Sequence, residues 1–70
     1  MATWGVVADL SRRICLLVEQ GEKDEARALR AGEFALAVSV LRSATARDID
    51  LSFADEAERV TAAALSSRPD

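Results

Sequence analysis

Apolar residues near the start of the chain recur at the spacing of one helical face. The pattern consists of Val7, Leu10, Ile14 and Leu17, at steps of three, four and three residues. Such steps are typical of the seam along which a helix packs against a neighbour. Gly21 follows this run, and glycine ends helices readily because it adopts the left-handed conformation at low cost. The pattern predicts a first helix over residues 4–20; the alternative is one helix continuing through Gly21, at a cost of about 1 kcal/mol.

The longest helix-compatible segment, residues 22–46, carries apolar residues on two faces. One row is Leu29, Leu36 and Val40, and the other is Phe34, Ala37, Val38, Leu41 and Ala44. A helix with two apolar faces needs neighbours on both sides. Large and small residues also alternate over residues 34–41, as in a strand, but the alanines favour a helix. Gly32 lies inside this segment, where it is compatible with a close approach between helices, a kink or a helix end.

A third pattern follows a polar linker, residues 45–51. Ser52 precedes Phe53 at a position suited to a helix cap, and a narrow apolar stripe then runs through Phe53, Ala57, Val60 and Ala64. We expect a third helix over residues 53–65 and a flexible tail over residues 66–70. The short break at Gly21 makes the first two helices antiparallel neighbours. The predicted fold is all-α: one domain, residues 1–70, in which an antiparallel hairpin and a shorter third helix form a small three-helix bundle.

The chain is short and rich in apolar residues. It has 70 residues, of which 50% are hydrophobic and 14 are alanine. A domain of this size buries only about 60% of the surface that its unfolded chain exposes. The third helix, at roughly 20 Å, is also too short to cover a second helix of roughly 37 Å. We therefore expect the bundle to be completed by self-association or by a protein partner.

Residue types needed for catalysis or metal binding are scarce. The chain has no histidine or tyrosine and one cysteine, Cys15. Cys15 lies between Ile14 and Leu16, where a small buried apolar side chain is a simpler interpretation than a reactive thiol. A zinc site would start from this single soft ligand. We predict that the protein is not an enzyme and that it binds no metal, cofactor or small-molecule substrate.

Charge and hydropathy narrow the range of partners and locations. The net charge is −3 and the pI is near 4.8, whereas nucleic-acid binding needs clustered Lys and Arg. No apolar stretch reaches the roughly 18 residues of a membrane span, and residues 1–10 lack the basic start of a signal peptide. We expect a cytoplasmic protein without nucleic-acid or membrane partners. Arginine outnumbers lysine eight to one, which suggests a GC-rich bacterial source.

The expected binding surface is an apolar groove along the hairpin. Its residues are Phe34, Val38 and Leu41 on the second helix, facing Val7, Leu10, Ile14 and Leu17 on the first. An amphipathic partner helix would lie in this groove. Trp4, the one tryptophan, is either an interface hot spot or a cap on the end of the bundle. A groove of this kind predicts that Val38→Asp abolishes assembly and leaves the protein soluble.

Residues 17–26, Leu-Val-Glu-Gln-Gly-Glu-Lys-Asp-Glu-Ala, resemble the helical hairpin of flagellar and type III secretion chaperones. Members of that group are small acidic proteins that bind and shield a helix of an export substrate. The resemblance implies a chaperone-like role. Lys23 stands where the flagellar family carries an aromatic residue, so we assign no site residues from it.

Two functional hypotheses follow from these patterns. The first is a small bacterial interaction module, either an adaptor or chaperone or a homo-oligomeric assembly protein, that binds a helix through apolar contact. The second is a small acidic inhibitor, such as an antitoxin or a phage anti-defence protein, that binds a basic surface. The acidic residues form two clusters: Glu19, Glu22, Asp24 and Glu25, and then Asp48, Asp50, Asp55, Glu56 and Glu58. Salt separates the hypotheses, because it screens charge-led binding and leaves apolar binding largely intact.

Overall fold

The fold is a bundle of three helices. A computed structural model describes residues 3–44 and 47–66, of which 93% are helical and none forms a strand. The helical elements are α1 (Thr3–Glu19), α2 (Lys23–Leu29), a π-helical turn (Arg30–Phe34), α3 (Ala35–Ala44) and α4 (Asp48–Ser66). Because α2, the π turn and α3 follow one another without a gap, they form one long helix beside α1 and α4. The predicted all-α class is confirmed, and the arrangement is consistent with the predicted three-helix bundle.

Gly21 ends the first helix as predicted. Its φ of +83° is the one positive φ in the described part of the chain. The Glu22 N–H donates to the Leu17 carbonyl at 2.8 Å, and the Gly21 N–H donates to the Val18 carbonyl at 3.1 Å. This pair of bonds is a Schellman motif, which satisfies carbonyls at the helix end. The connection is therefore short, and α2 begins at Lys23.

Gly32 lies in a π turn that the sequence pattern did not predict. The helix does not end there, because helical structure continues from Lys23 to Ala44. A Cβ atom built on Gly32 would meet nothing within 4 Å, so no neighbouring helix approaches closely at this position. Glycine therefore marks a change in helix type, since single π turns occur within otherwise regular α-helices.

The π turn decides which apolar residues of the long helix face the core. It brings Leu29 and Phe34, five residues apart, onto the same side: Phe34 is buried and Leu29 packs against the core. The predicted row of Leu29, Leu36 and Val40 is split as a result, because Leu36 and Val40 are 67% and 48% exposed. The prediction that these three residues share one face is wrong, because it assumed an unbroken 3.6-residue period.

The third helix is longer than predicted and begins earlier. It starts at Asp48 instead of residue 53, and the Arg47 carbonyl accepts the backbone N–H groups of Asp50 and Leu51 at 3.1 and 3.2 Å. Two aspartates in the first turn, Asp48 and Asp50, complement the positive end of the helix dipole. The third helix is shorter than the long helix from Lys23 to Ala44, as predicted, but the prediction that it is also shorter than the first helix is wrong, because α4 has 19 residues and α1 has 17.

Parts of two predicted segments lie outside the described residues. The predicted second helix, 22–46, corresponds to the helix from Lys23 to Ala44, and positions 45 and 46 are not described. Ser66 closes α4, and the rest of the predicted tail, residues 67–70, is likewise outside the described part.

The core lies between all three helices. Its buried apolar residues are Val7, Ile14, Ala26, Phe34, Ala37, Val38, Leu41, Ala54 and Ala57. The contribution of α4 is small side chains, which let its backbone approach α1 and α3 closely. Thr61 is the one fully buried polar residue of the described chain. Its hydroxyl donates to the Ala57 carbonyl at 2.9 Å and accepts from Arg30 Nε at 2.7 Å, so the buried polar group is paired.

Candidate functional site

The residues predicted to line an open groove form the interior of the bundle instead. Val7 and Ile14 are fully buried; Phe34, Val38 and Leu41 are between 1% and 4% exposed. The other two, Leu10 and Leu17, are partly buried against the same core. Small residues of α4 complete this core, because the helix is long enough to run along both α1 and α3. Partner binding at these seven residues stays a prediction; one of them, Leu17, lines an open groove of about 590 Å³ between α1 and the long helix.

Trp4 is the predicted site residue that lies at the surface. It is 44% exposed and stacks on Phe53 of α4, with ring centroids 4.3 Å apart and planes within 5° of parallel. The Trp4 indole N–H donates to an Asp50 carboxylate oxygen at 2.6 Å. Offset stacking and the hydrogen bond fix the start of α1 against the first turns of α4. The outer part of the indole remains accessible.

A groove between α1 and α4 leads away from this aromatic stack. Its volume is about 380 Å³, and the accessible surface of its walls is almost entirely apolar, although polar and charged residues are among those that line it. The lining residues are Ala8, Ser11, Arg12 and Cys15 from α1, and Phe53, Glu56, Ala57 and Val60 from α4. On each helix they recur at steps of three or four, which places them on one face. The groove is open because its lining residues on α1 are mostly small.

Two exposed apolar side chains extend the face formed by this groove. Ile49, 57% exposed, precedes Phe53 by four residues, and Val60, 41% exposed, follows it by seven. These intervals place the three residues on the same side of α4. We call the surface made of Trp4, Ala8, Cys15, Ile49, Phe53 and Val60 the α1/α4 face.

A second exposed apolar patch lies on another side of the bundle. It comprises Leu36 and Val40 of α3, which are 67% and 48% exposed. This patch contains no aromatic residue, and no stacked pair supports it in the described structure. Aromatic residues in partly desolvated pockets dominate binding energy at protein interfaces, so the α1/α4 face is the better candidate site.

The α3–α4 side of the bundle carries ion pairs instead of apolar surface. Arg42 donates to Asp55 and Glu58 at 2.7 and 2.6 Å. The hydrogen bonds to Asp55 and then to Glu58 raise the pKa of Arg42 above its ordinary value. Glu56, which lines the groove between α1 and α4, pairs with Arg59 on the same helix. Most of the second acidic cluster is thus engaged within the chain itself.

The described residues show no group of three or more His, Cys, Asp or Glu side chains that could hold a metal ion. Across the same part of the chain, no helix combines the length and apolar character that crossing a membrane requires. Compared with models of known protein families, with curated proteins and with solved structures, the chain shows no significant match. The candidate site therefore rests on geometry alone.

Sequence patterns held a partial signal for this face. The stripe of Phe53, Ala57 and Val60 was visible as a narrow apolar row, and its residues do line the groove. On α1, however, the small residues Ala8 and Ser11 carry no hydrophobic signal of their own. Their role depends on the stack of Trp4 against Phe53, a contact between residues 49 positions apart that no local pattern contains.

Proposed function

We propose that this protein is a non-enzymatic interaction module that binds another protein through apolar contact at the α1/α4 face. In this proposal α1 and the helix from Lys23 to Ala44 form an antiparallel hairpin, and α4 completes the bundle. The role is that of an adaptor, a chaperone-like protein or a homo-oligomeric assembly protein in the bacterial cytoplasm. The interaction surface replaces the groove that the sequence predicted, because the residues of that groove are occupied in the core.

The observation that carries this proposal is the Trp4–Phe53 stack at one end of an open apolar groove. An exposed indole held by a hydrogen bond to Asp50 loses little conformational entropy when a partner covers it. Half-exposed Val60 adds apolar area further along the same groove. Contiguous apolar surface of this kind marks interaction sites on small helical proteins.

The alternative of a charge-led acidic inhibitor has less support. Asp55, Glu56 and Glu58 already pair with Arg42 and Arg59 of the same chain. The first acidic cluster, around Asp24, is exposed and remains the surface that such an inhibitor would use. The two proposals therefore assign binding to different residues: the α1/α4 face in one case, and the acidic cluster around the turn between α1 and α2 in the other.

A site-specific photo-crosslinker distinguishes these surfaces in the native cells. We expect a crosslinker at Val60 to form a protein adduct, whereas one at the fully exposed Asp24 forms none. Adduct formation at Val60 should persist at about 0.5 M NaCl in lysate, because salt screens charges and not apolar contact. An adduct at Asp24 alone, lost in salt, would favour the acidic inhibitor and refute binding at the α1/α4 face.

A further inference from the structure

We propose that the long helix from Lys23 to Ala44 has two registers, and that the π turn (Arg30–Phe34) switches between them. The first register is the one in the structure, with the π turn present. In the second register the turn becomes regular α-helix, and every residue after it takes the place that its C-terminal neighbour held before. This inference is independent of the proposed function, because it concerns the packing of one helix within the chain.

The two registers differ in the number of residues that complete one turn. Hydrogen bonds join residues five apart in a π turn and four apart in an α-helix. In the structure Leu29 and Phe34, five residues apart, both pack in the core. In a regular α-helix the residue one turn after Leu29 is Glu33 instead. Loss of the π turn therefore rotates the rest of the helix by about 100° and advances it by about 1.5 Å, the step of one residue.

The rotation exchanges two sets of side chains that are nearly equivalent. In the structure the core positions after the turn are filled by Phe34, Ala37, Val38 and Leu41. In the second register the same positions are filled by Glu33, Leu36, Ala37 and Val40. Each set contains one alanine, one valine and one leucine, and a core tolerates exchange best when its total apolar volume is kept. The difference between the registers is thus reduced to an aromatic ring against a carboxylate.

Two exposed side chains have the positions that the second register requires. Leu36 and Val40 are 67% and 48% exposed in the structure, although both are large apolar residues. They follow Leu29 by seven and eleven residues, the spacing of one stripe on a regular α-helix. The second register buries this stripe and exposes the set that begins with Phe34. The two apolar rows of the long helix therefore correspond to its two registers.

Arg30 makes the exchange of Phe34 for Glu33 possible. Its guanidinium carbon lies 6.0 Å from the centre of the Phe34 ring, so Glu33 in that position has a cation nearby. Arg30 Nε donates to the Thr61 hydroxyl at 2.7 Å, and a terminal nitrogen of Arg30 donates to the Glu58 carbonyl at 2.9 Å. A guanidinium has further N–H groups for a carboxylate. Pairing of this kind greatly reduces the cost of burying a carboxylate.

The residue at position 33 decides which register dominates. The first register buries the Phe34 ring, and the second buries the Glu33 carboxylate but gains the regular hydrogen bonds of an α-helix. The first is therefore the major state of the native chain. With Glu33→Phe the two registers bury the same four residue types, so the regular hydrogen bonds should make the second register the major state.

The test in the otherwise native chain compares thiol labelling of Val7→Cys and Val38→Cys, each made in a Cys15→Ala background. Val7 and Val38 are matched because they are 0% and 2% exposed in the same core. The second register exposes position 38, whereas position 7 on α1 stays buried until the whole protein unfolds. Urea denaturation of each variant gives the labelling rate that global unfolding alone produces. We expect Val38→Cys to react at least about tenfold faster than that rate, and Val7→Cys to react at it.

Addition of Glu33→Phe to these backgrounds should invert the labelling pattern of the helix. Val38→Cys should become as reactive as an exposed thiol, and Val40→Cys, exposed in the native register, should slow at least about tenfold. Far-UV circular dichroism checks that each variant is folded. Glu25→Phe is the matched control, because Glu25 is an exposed residue of the same helix before the turn, and it should leave these rates unchanged.

Three results would overturn the switch, and the first does not depend on the folding of Glu33→Phe. If Val38→Cys reacts only at the rate set by global unfolding, the native chain does not enter the second register. If a folded Glu33→Phe variant keeps Val38→Cys protected and Val40→Cys reactive, the helix retains its π turn even when both registers bury the same residue types. If Glu25→Phe also inverts the pattern, the added aromatic ring and not the register is responsible.

Discussion

Gly21 and Gly32 should respond in opposite directions to the same substitution by alanine. A Cβ atom at Gly21 or at Gly32 would meet nothing within 4 Å, so neither substitution causes a steric clash with neighbouring residues. The two positions differ in backbone conformation. Gly21 has a φ of +83°, and Gly32 lies within the continuous long helix. The sign of the effect on stability therefore depends on backbone conformation alone.

The expected magnitudes follow from two opposing free-energy terms. Replacing glycine by alanine restricts the unfolded chain, which stabilises the folded state by about 0.4–1 kcal/mol where the native conformation suits alanine. Gly32→Ala should show this gain in full. At Gly21 the left-handed conformation costs alanine about 1–2 kcal/mol, so Gly21→Ala should destabilise the fold by a net amount of about 0.5–1.5 kcal/mol.

Thermal denaturation followed by circular dichroism at one fixed protein concentration measures both effects. For a domain of this length, 1 kcal/mol corresponds to a shift in Tm of roughly 7 °C. We expect Gly32→Ala to raise Tm by about 3–7 °C and Gly21→Ala to lower it by about 3–10 °C. Shifts of the same sign would refute the reasoning. A lower Tm for Gly32→Ala in particular would mean that the π turn itself requires glycine.

Three further predictions concern the core and the polar side of the bundle. Val38→Asp should unfold the protein, in contrast to the soluble variant predicted from sequence, because the carboxylate would replace a side chain that is 2% exposed. Burying the carboxylate costs several kcal/mol, which exceeds the roughly 3–5 kcal/mol of stability that such a core supplies. A Val38→Asp protein with full helical ellipticity in circular dichroism would contradict this prediction. Thr61→Val should cost about 1–2 kcal/mol in urea denaturation, since Arg30 Nε loses its acceptor at 2.7 Å; an equally stable variant would show that the hydrogen bond contributes nothing. Arg42→Gln should lower the urea midpoint at low salt and much less at about 0.5 M NaCl, because the pairs with Asp55 and Glu58 are partly exposed; an equal loss at both salt concentrations would indicate packing instead of charge.

The helical class and the end of the first helix could be predicted from sequence because both depend on local properties. Val7, Ile14 and their apolar neighbours recur at steps of three and four residues, so they share one face of α1. That face is the one that packs in the core. Gly21 ends α1 through its own backbone freedom and two hydrogen bonds within five residues. Neither feature requires knowledge of the rest of the chain.

The start of α4 was missed because two local signals competed. Ser52 resembles a helix cap, yet it is an exposed residue inside the helix. The aspartates Asp48 and Asp50 looked like a polar linker, but in a first turn they are favourable to the helix dipole. Two of these extra residues of α4 contribute to the candidate site. Exposed Ile49 extends the α1/α4 face, and Asp50 accepts the hydrogen bond from the Trp4 indole N–H.

The sequence by itself therefore determined that the chain is helical and that its first helix ends before Gly21. It also determined that the long helix carries more apolar residues than one of its faces can hold. Only the tertiary structure decided which of them are buried. A π turn costs one helix its regular hydrogen bonding, and packing of Leu29 and Phe34 on the same side against the other helices offsets that cost. That shift leaves Leu36 and Val40 at the surface, while the long-range stack of Trp4 on Phe53 creates the candidate site. Both results depend on contacts between segments distant in sequence, which hydrophobic periodicity within one segment does not encode.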